Sequence, residues 1–417
     1  MSLETFVHGI PVIDVHEHHM PDTLGAEGVG LLDLLQESYA GWTQVRPYPL
    51  AGESRVTLGA RPAGSTRWKD IAAYTEGSGT NAAVRNMLAA VAELHGLGAA
   101  PITEKNWAEL DARIRERHRD RGWPDSVMQR TGVSAAISDP YTDPLMDVRA
   151  ALGPRYWSVL RVNALAFGWN DTVRDHNDHN GRELLSRIGV QARSFDDYLA
   201  GLPLLMDRLA GLHKVGLKNA LAYDRSVDFD TVDLDQARAA WDSADPSPAQ
   251  RKAFGDVVVD RLARLAGERD IPFQVHLGSA QIRGSRPLSA AGLIERNPRT
   301  RFLLMHLAWP WSDELLGMAF VYRNVWLDLT WSWLLSPSRF LASFRQAIDS
   351  LPDESRMMLG GDTWHAEEAY GAISLARRLL SRTLEACVRD RDFRVADAER
   401  LARKILHDNA AAFFHLG

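Results

Sequence analysis

Eight short apolar runs, rich in valine, isoleucine and leucine, recur along this chain, and between them lie segments whose apolar residues repeat at helical spacing. The runs begin at Pro11–His16, Gly132–Ile137, Tyr156–Val162 and Lys214–Lys218. They continue at Ile271–His276, Arg301–His306, Val325–Leu329 and Met357–Asp362. Consecutive apolar positions over so short a length mark strands buried on both faces, as in a parallel sheet. Parallel neighbours need a crossover, and the helical segments supply it. Eight strand–helix units predict an α/β protein of the closed (β/α)8 TIM-barrel type rather than an open, doubly wound sheet. No glycine-rich dinucleotide fingerprint follows any of the runs, which counts against the open alternative that binds NAD.

Helical spacing is read at Ser194–Leu212, Ser247–Arg269, Ser289–Asn297, Glu314–Tyr322, Phe340–Leu351, Ala369–Arg389 and Ala396–Phe414. One connection breaks the rhythm. Residues 20–130 separate the first two strands, too long a stretch for a bare loop. Helical patterns at Gly30–Leu35, Asn81–Leu97 and Trp107–Arg119 flank a Gly-, Pro- and Ser-rich stretch, Arg46–Thr66, expected to be irregular. The whole region is expected to be a mostly helical insertion over the barrel mouth, leaving 1–19 and 131–417 as the barrel. A length of 417 residues suits a barrel that carries such an insertion.

The chemistry of such a barrel sits at the C-terminal ends of its strands. The first strand runs into His16, Glu17, His18 and His19. Alternate strand residues share a side, so His16 and His18 point the same way with Cα atoms about 6.6 Å apart, close enough for both rings to meet one ion. Strand four ends at Lys218, strand five at His276, strand six at His306 and strand eight at Asp362. One histidine after a strand is usually a packed or capping residue. Four histidines and an aspartate at matching strand ends point to a divalent metal, most simply Zn²⁺, with Mn²⁺ or Fe²⁺ as alternatives and one or two ions. Such an ion lowers the pKa of a bound water to about 7. Asp362 is then the natural base for that water, and His306 is expected beside the metal, or on it, steadying the developing oxyanion.

Composition narrows the partners. The net charge of −6 is spread along the chain, which gives no reason to expect nucleic acid or an anionic membrane. No apolar run is long enough to span a bilayer, and no signal peptide is read. The single cysteine, Cys387, cannot form an internal disulfide, so a reduced, cytoplasmic setting is the default. The expected partner is a small-molecule substrate. Barrels of this kind often associate into homo-oligomers, although no stretch identifies an interface.

The stretches Val12-Ile13-Asp14-Val15-His16-Glu17-His18, Val275-His276-Leu277-Gly278, Met305-His306 and Gly361-Asp362 resemble the ligand set of the amidohydrolase superfamily, in its amidohydrolase-related branch. More narrowly, the insertion after strand one and the stretch Gly216–Tyr223 are similar to the nodulin-like amidohydrolase domains found fused to glutamine synthetase in some proteins. The resemblance implies a metal-dependent hydrolase. It also opens three readings of Lys218: a carbamate bridging two metals, a cation that holds a substrate carboxylate, or a surface ion pair. Arg161, at the end of strand three, and Tyr223 with Arg225, after strand four, are candidate contacts for an acidic substrate; a structural ion pair is the alternative for the arginines. Trp331 and Trp364 are candidates for lining an apolar, aromatic or sugar-binding pocket.

The leading expectation is therefore hydrolysis of a C–N or C–O bond, in an amide, lactone or ester, of a small acidic molecule. The same branch resembles decarboxylases of aromatic acids, and sugar-acid isomerases of the uronate isomerase kind share the His-x-His and aspartate pattern. A non-catalytic, metal-binding barrel is the third reading. An open coordination position speaks against it, since structural zinc sites are closed four-ligand sets.

Overall fold

The computed structural model describes residues 2–21, 28–44 and 66–416. The stretch expected to be irregular, Arg46–Thr66, lies almost wholly outside the described residues. Eight parallel strands form one sheet in sequence order, a nearly closed (β/α)8 barrel. They are β1 (Val12–Glu17), β2 (Val133–Ser138), β3 (Tyr156–Arg161), β4 (Lys214–Asn219), β5 (Phe273–Val275), β6 (Phe302–Leu304), β7 (Val325–Asp328) and β8 (Met357–Met358). Every residue of β1 is buried, Asp14, His16 and Glu17 included, as a strand covered on both faces demands. Parallel register sets Arg161 of β3 beside Lys218 of β4, and Lys218 beside Gln274 of β5.

The chain divides into two compact units. One comprises Met1–Ser134, Trp331–Leu341 and Gly360–Arg403; the other comprises Ala135–Thr330, Ala342–Leu359 and Lys404–Gly417. In the first, the Val12 N–H donates to Gly132 O at 2.9 Å. On the other flank of β1, the chain that follows β8 is bonded to it: Asp362 N–H donates to His16 O at 2.8 Å and His18 N–H to Thr363 O at 2.8 Å. Gly360 makes this approach possible. A Cβ built there would lie 2.4 Å from Asp14 Oδ1 and 2.6 Å from the His16 backbone nitrogen, closer than any side chain tolerates.

The described part of the insertion is helical, as its spacing implies. Its helices are Leu31–Gln36, Trp68–Ala72, Ala82–Leu94, Trp107–Arg117 and Trp123–Thr131. Asn81 caps the third of these by accepting from Ala83 N and Val84 N, and Gly132, at φ 75, ends the last in the left-handed conformation that suits glycine. The first four of these helices share a core, with Leu31, Leu34, Leu35, Ile71, Met87, Val91, Leu110 and Ile114 buried together. The long helix Ala366–Arg389 packs against the Ala82–Leu94 and Trp123–Thr131 helices.

In the second unit, Ser247 and Gln250 form a reciprocal cap at the start of Pro248–Glu268, with proline in the first turn. The helical pattern read at Ala396–Phe414 is interrupted: Val395–Arg403 gives way to a π turn at Lys404–Asp408 before Asn409–Phe414. Strands β5, β6 and β8 are shorter than their apolar runs. His276, His306 and Asp362 therefore stand past the strand ends, although the His276 N–H still donates to Asn219 O at 2.8 Å, and His306 and Asp362 adopt positive φ, 63° and 57°.

Candidate metal centre

In the first unit, β1 presents His16 and His18 on one side, their rings 4.9 Å apart and nearly perpendicular. Asp362 Oδ1 lies 3.1 Å from His18 Nε2 and 3.6 Å from His16 Nε2. The three donor atoms all fall within 4.8 Å of one another, and among the described residues this is the group able to hold a metal ion. Ligands bound at about 2.0–2.1 Å in a tetrahedron stand about 3.3 Å apart. The two imidazole–carboxylate spacings bracket that value, so Asp362 and the two imidazoles can gather around a divalent ion.

Two more carboxylates of β1 hold the loop that carries Asp362. Asp14 accepts the Gly361 N–H at 2.9 Å and the His16 N–H at 3.1 Å. Glu17, on the other side of the strand, accepts both the N–H and the hydroxyl of Thr363 at 2.6 Å. Burial pushes Asp14 up to about 6, although its hydrogen bonds pull the other way. Burial, and then the Asp14 charge, hold Glu17 well above the usual carboxylate range. The neighbouring His19 is pushed down to about 3 by burial and by His365 and His18. Its Nε2 lies 3.2 Å from Thr363 Oγ1, a contact that belongs to the loop.

Aromatic rings adjoin this group. Trp364 stacks on His18 at 4.8 Å, fixing one face of that imidazole. Trp331 sits against Tyr39 at 4.7 Å and Trp42 at 5.8 Å, both from the insertion. Trp331 is 2% exposed and has φ 64, a backbone conformation unusual for a bulky residue.

In the second unit the strand ends bring together a different set. His276 and His306 meet at 3.0 Å, Nδ1 to Nε2. Burial, and then the nearby His306 and Lys218, push His276 well below its ordinary pKa, so it is a neutral imidazole. Tyr223 lies over His276 at 4.6 Å. Lys218 is 1% exposed and donates to Met305 Sδ at 2.7 Å, so it is not a surface ion pair. Arg161, 5% exposed, is bound to the buried Asp139, with Nη2 2.9 Å from Oδ2. Its Nη1 faces His176 Nε2 at 3.3 Å. Arg225 turns instead to Asp256 at 2.6 Å and covers the Phe229 ring, the arrangement of a structural pair.

A family profile described as Amidohydrolase matches residues 201–416, more than half of the chain. The chain belongs to the amidohydrolase family. The matched span holds Lys218, His276, His306 and Asp362, whereas His16 and His18 precede it. A curated relative, Protein fluG of Emericella nidulans, is 24% identical over 232 residues, which cover 51% of this chain and 27% of that protein; the chain spans about a quarter of its relative's length. Among solved structures, glucuronate isomerase of Caulobacter crescentus superposes with a TM-score of 0.74 at 18% identity, covering 99% of this chain and 93% of that one. A protein of Lactobacillus casei assigned as a metal-dependent hydrolase gives 0.69 at 17% identity, covering 99% and 97%. Identities this low speak for the fold. No described helix is long and apolar enough to cross a membrane.

Several residues that shape this amidohydrolase site escape a sequence reading. Asp14 and Glu17 carried a signal, since an acidic residue inside a fully buried strand needs a partner. Thr363 and Tyr39 carried none.

Proposed function

We propose that the protein is a metal-dependent hydrolase that cleaves a C–N or C–O bond in a small acidic molecule. The observation that carries this reading is the convergence of His16, His18 and Asp362 donor atoms within 4.8 Å in a member of the amidohydrolase family. A divalent ion bound there, most simply zinc, lowers the pKa of a water to about 7 and polarises the substrate carbonyl. His16 and His18 would hold that ion. Asp362 takes the proton of the attacking water and passes it to the leaving group. Asp14 and Glu17 keep the Asp362 carboxylate on station through Gly361 and Thr363. His276 is proposed as a further ligand and His306 as the residue that steadies the oxyanion. Lys218 is proposed as a contact for a substrate carboxylate or, carboxylated, as a bridge between two ions. Arg161, Tyr223, Arg225, Trp331 and Trp364 are proposed as substrate contacts. The paired state of Arg225 makes it the weakest of these. Placement in the nodulin-like subgroup is proposed on the resemblance of the stretch Gly216–Tyr223, and the lone, buried Cys387 supports a reducing, cytoplasmic setting.

A second reading, isomerisation of a sugar acid, is supported by the extent of the fold likeness to glucuronate isomerase. One experiment separates the two. Zinc-loaded protein is analysed for metal content and screened against lactones, N-acyl amino acids, uronates and aromatic carboxylates. Hydrolysis of a lactone or amide, lost by about 10²–10⁴-fold in Asp362→Asn assayed at saturating zinc, is the expected result. Protein that takes up no zinc, or an Asp362→Asn variant of full activity, would overturn the mechanism; turnover of uronates alone would favour the isomerase.

A further inference from the structure

Glu367 and Glu368 stand in the first turn of the helix Ala366–Arg389 and are 0% and 2% exposed. The hydrolytic mechanism uses neither. Two adjacent carboxylates buried this deeply are costly unless every oxygen is paired. Here the pairing is dense. Glu367 Oε1 accepts from Trp123 Nε1 at 2.7 Å and lies 2.8 Å from His118 Nε2 and 3.8 Å from His95 Nε2. Its other oxygen lies 3.2 Å from His365 Nδ1. Glu368 accepts the Tyr39 N–H at 2.8 Å through Oε1 and the Trp364 N–H at 3.0 Å through Oε2. His365 in turn donates from Nε2 to Leu34 O at 3.1 Å.

These partners come from two places. Leu34, Tyr39, His95, His118 and Trp123 belong to the helical insertion; His95 and His118 close the helices Ala82–Leu94 and Trp107–Arg117, and Trp123 opens the next. Trp364 and His365 follow Asp362 by two and three residues, and Trp364 stacks on His18. We propose that Glu367 and Glu368 form a clamp through which the insertion holds the Asp362 loop in its metal-binding conformation. They are positioning residues, and the clause about metal rests on the function proposed above.

Three observations support the clamp. Burial alone would raise Glu367, yet the hydrogen bonds from His118 and His365, with His95 close by, hold its carboxyl well below the usual range. Asp362 has φ 57, a conformation that a non-glycine residue keeps only when its surroundings over-determine it. Finally, the cluster is not a second metal site. Trp123 Nε1 can only donate, and it occupies the same Oε1 that a metal would need; among the described residues the ligand atoms of His95, His118 and Glu367 do not gather as those of His16, His18 and Asp362 do.

The test is hydrogen exchange on the 417-residue, metal-free protein, combined with zinc titration, for wild type, Glu367→Gln, Glu368→Gln and His118→Gln. His118 lies in the insertion alone. Its replacement is nevertheless expected to deprotect amides in 360–366 as well as in 114–124, and all three variants are expected to bind zinc about 10–100-fold more weakly. Deprotection confined to the insertion, with unchanged exchange in 360–366 and unchanged zinc affinity, would reduce the cluster to a packing feature and overturn the proposal. If wild type takes up no zinc, the metal reading fails by itself, and the exchange data still decide the clamp. If Glu367→Gln does not fold, His118→Gln and Glu368→Gln carry the same comparison.

Discussion

Replacing Gly360 by alanine tests whether the loop that carries Asp362 is held against β1 as tightly as the distances imply. The new methyl would stand 2.4 Å from Asp14 Oδ1, 2.6 Å from the His16 nitrogen and 2.9 Å from the Val15 nitrogen. Non-bonded heavy atoms rest near 3.5 Å, so the loop must withdraw by about 1 Å. Two of the three obstacles are backbone atoms, which cannot swing aside. Overpacking of this kind costs about 1–3 kcal/mol. Withdrawal also stretches the Gly361 N–H bond to the Asp14 carboxylate, a hydrogen bond to a charged group worth about 1.5–3 kcal/mol. The sum is about 3–6 kcal/mol. For 417 residues the entropy of unfolding is about 0.9 kcal/mol per kelvin, so Tm should fall by about 3–7 °C. Gly317 is the control: it lies exposed within the helix Ser312–Val321, with nothing within 4 Å of its would-be methyl. Gly317→Ala should gain about 0.5–1 kcal/mol. Calorimetry of the metal-free proteins and zinc titration check both. A Gly360→Ala protein within 1 °C of wild type and of equal zinc affinity would refute the reasoning.

Glu368 gives a pH prediction. Burial raises its carboxyl from 4.5 to about 7, so between those values the folded chain keeps a proton that the unfolded chain has lost, and stability falls as pH rises. Its share of the slope is about 1.4 kcal/mol per pH unit, about 3 kcal/mol across the window; Asp14 adds to that slope and His19 opposes it, so the check is a difference: in urea denaturation from pH 4.5 to 7, wild type and Glu368→Gln should diverge by that share, equal slopes disproving the assignment. Leu110, 2% exposed in the core of the insertion, should cost about 2–5 kcal/mol when cut to alanine. Urea unfolding followed by insertion tryptophans would count against an independent core if the loss were below 1 kcal/mol.

The barrel was legible because a strand covered on both faces leaves a continuous apolar run, and all eight runs correspond to strands. Their lengths were less legible. The runs at Ile271–His276 and Arg301–His306 outlast β5 and β6, since an apolar run records burial rather than strand bounds: His276 and His306 stay 3% and 1% exposed past the strand ends. Short helices such as Leu3–Gly9, Trp123–Thr131 and Gly181–Ser186 offer too few turns to set up a period.

For the candidate site, strand alternation sufficed to pair His16 with His18, and a strand end sufficed to nominate Asp362. What holds them could not be read the same way. Glu17 finds Thr363 and Asp14 finds Gly361 across some 346 and 347 positions of sequence. A single sequence carries no trace of pairings that distant. It does carry the demand for them. An acidic residue in a run buried on both faces must meet a donor on whichever face it points to, so Asp14 and Glu17 implied two partners before either was known. The same holds for Glu367 and Glu368, whose adjacent positions in one helix lead to Trp123 and His118 on one side and to Tyr39 and Trp364 on the other. In a chain built around a buried sheet, the acidic residues that break an apolar pattern are therefore where a fold ties its functional loop down, and their partners must come from coordinates.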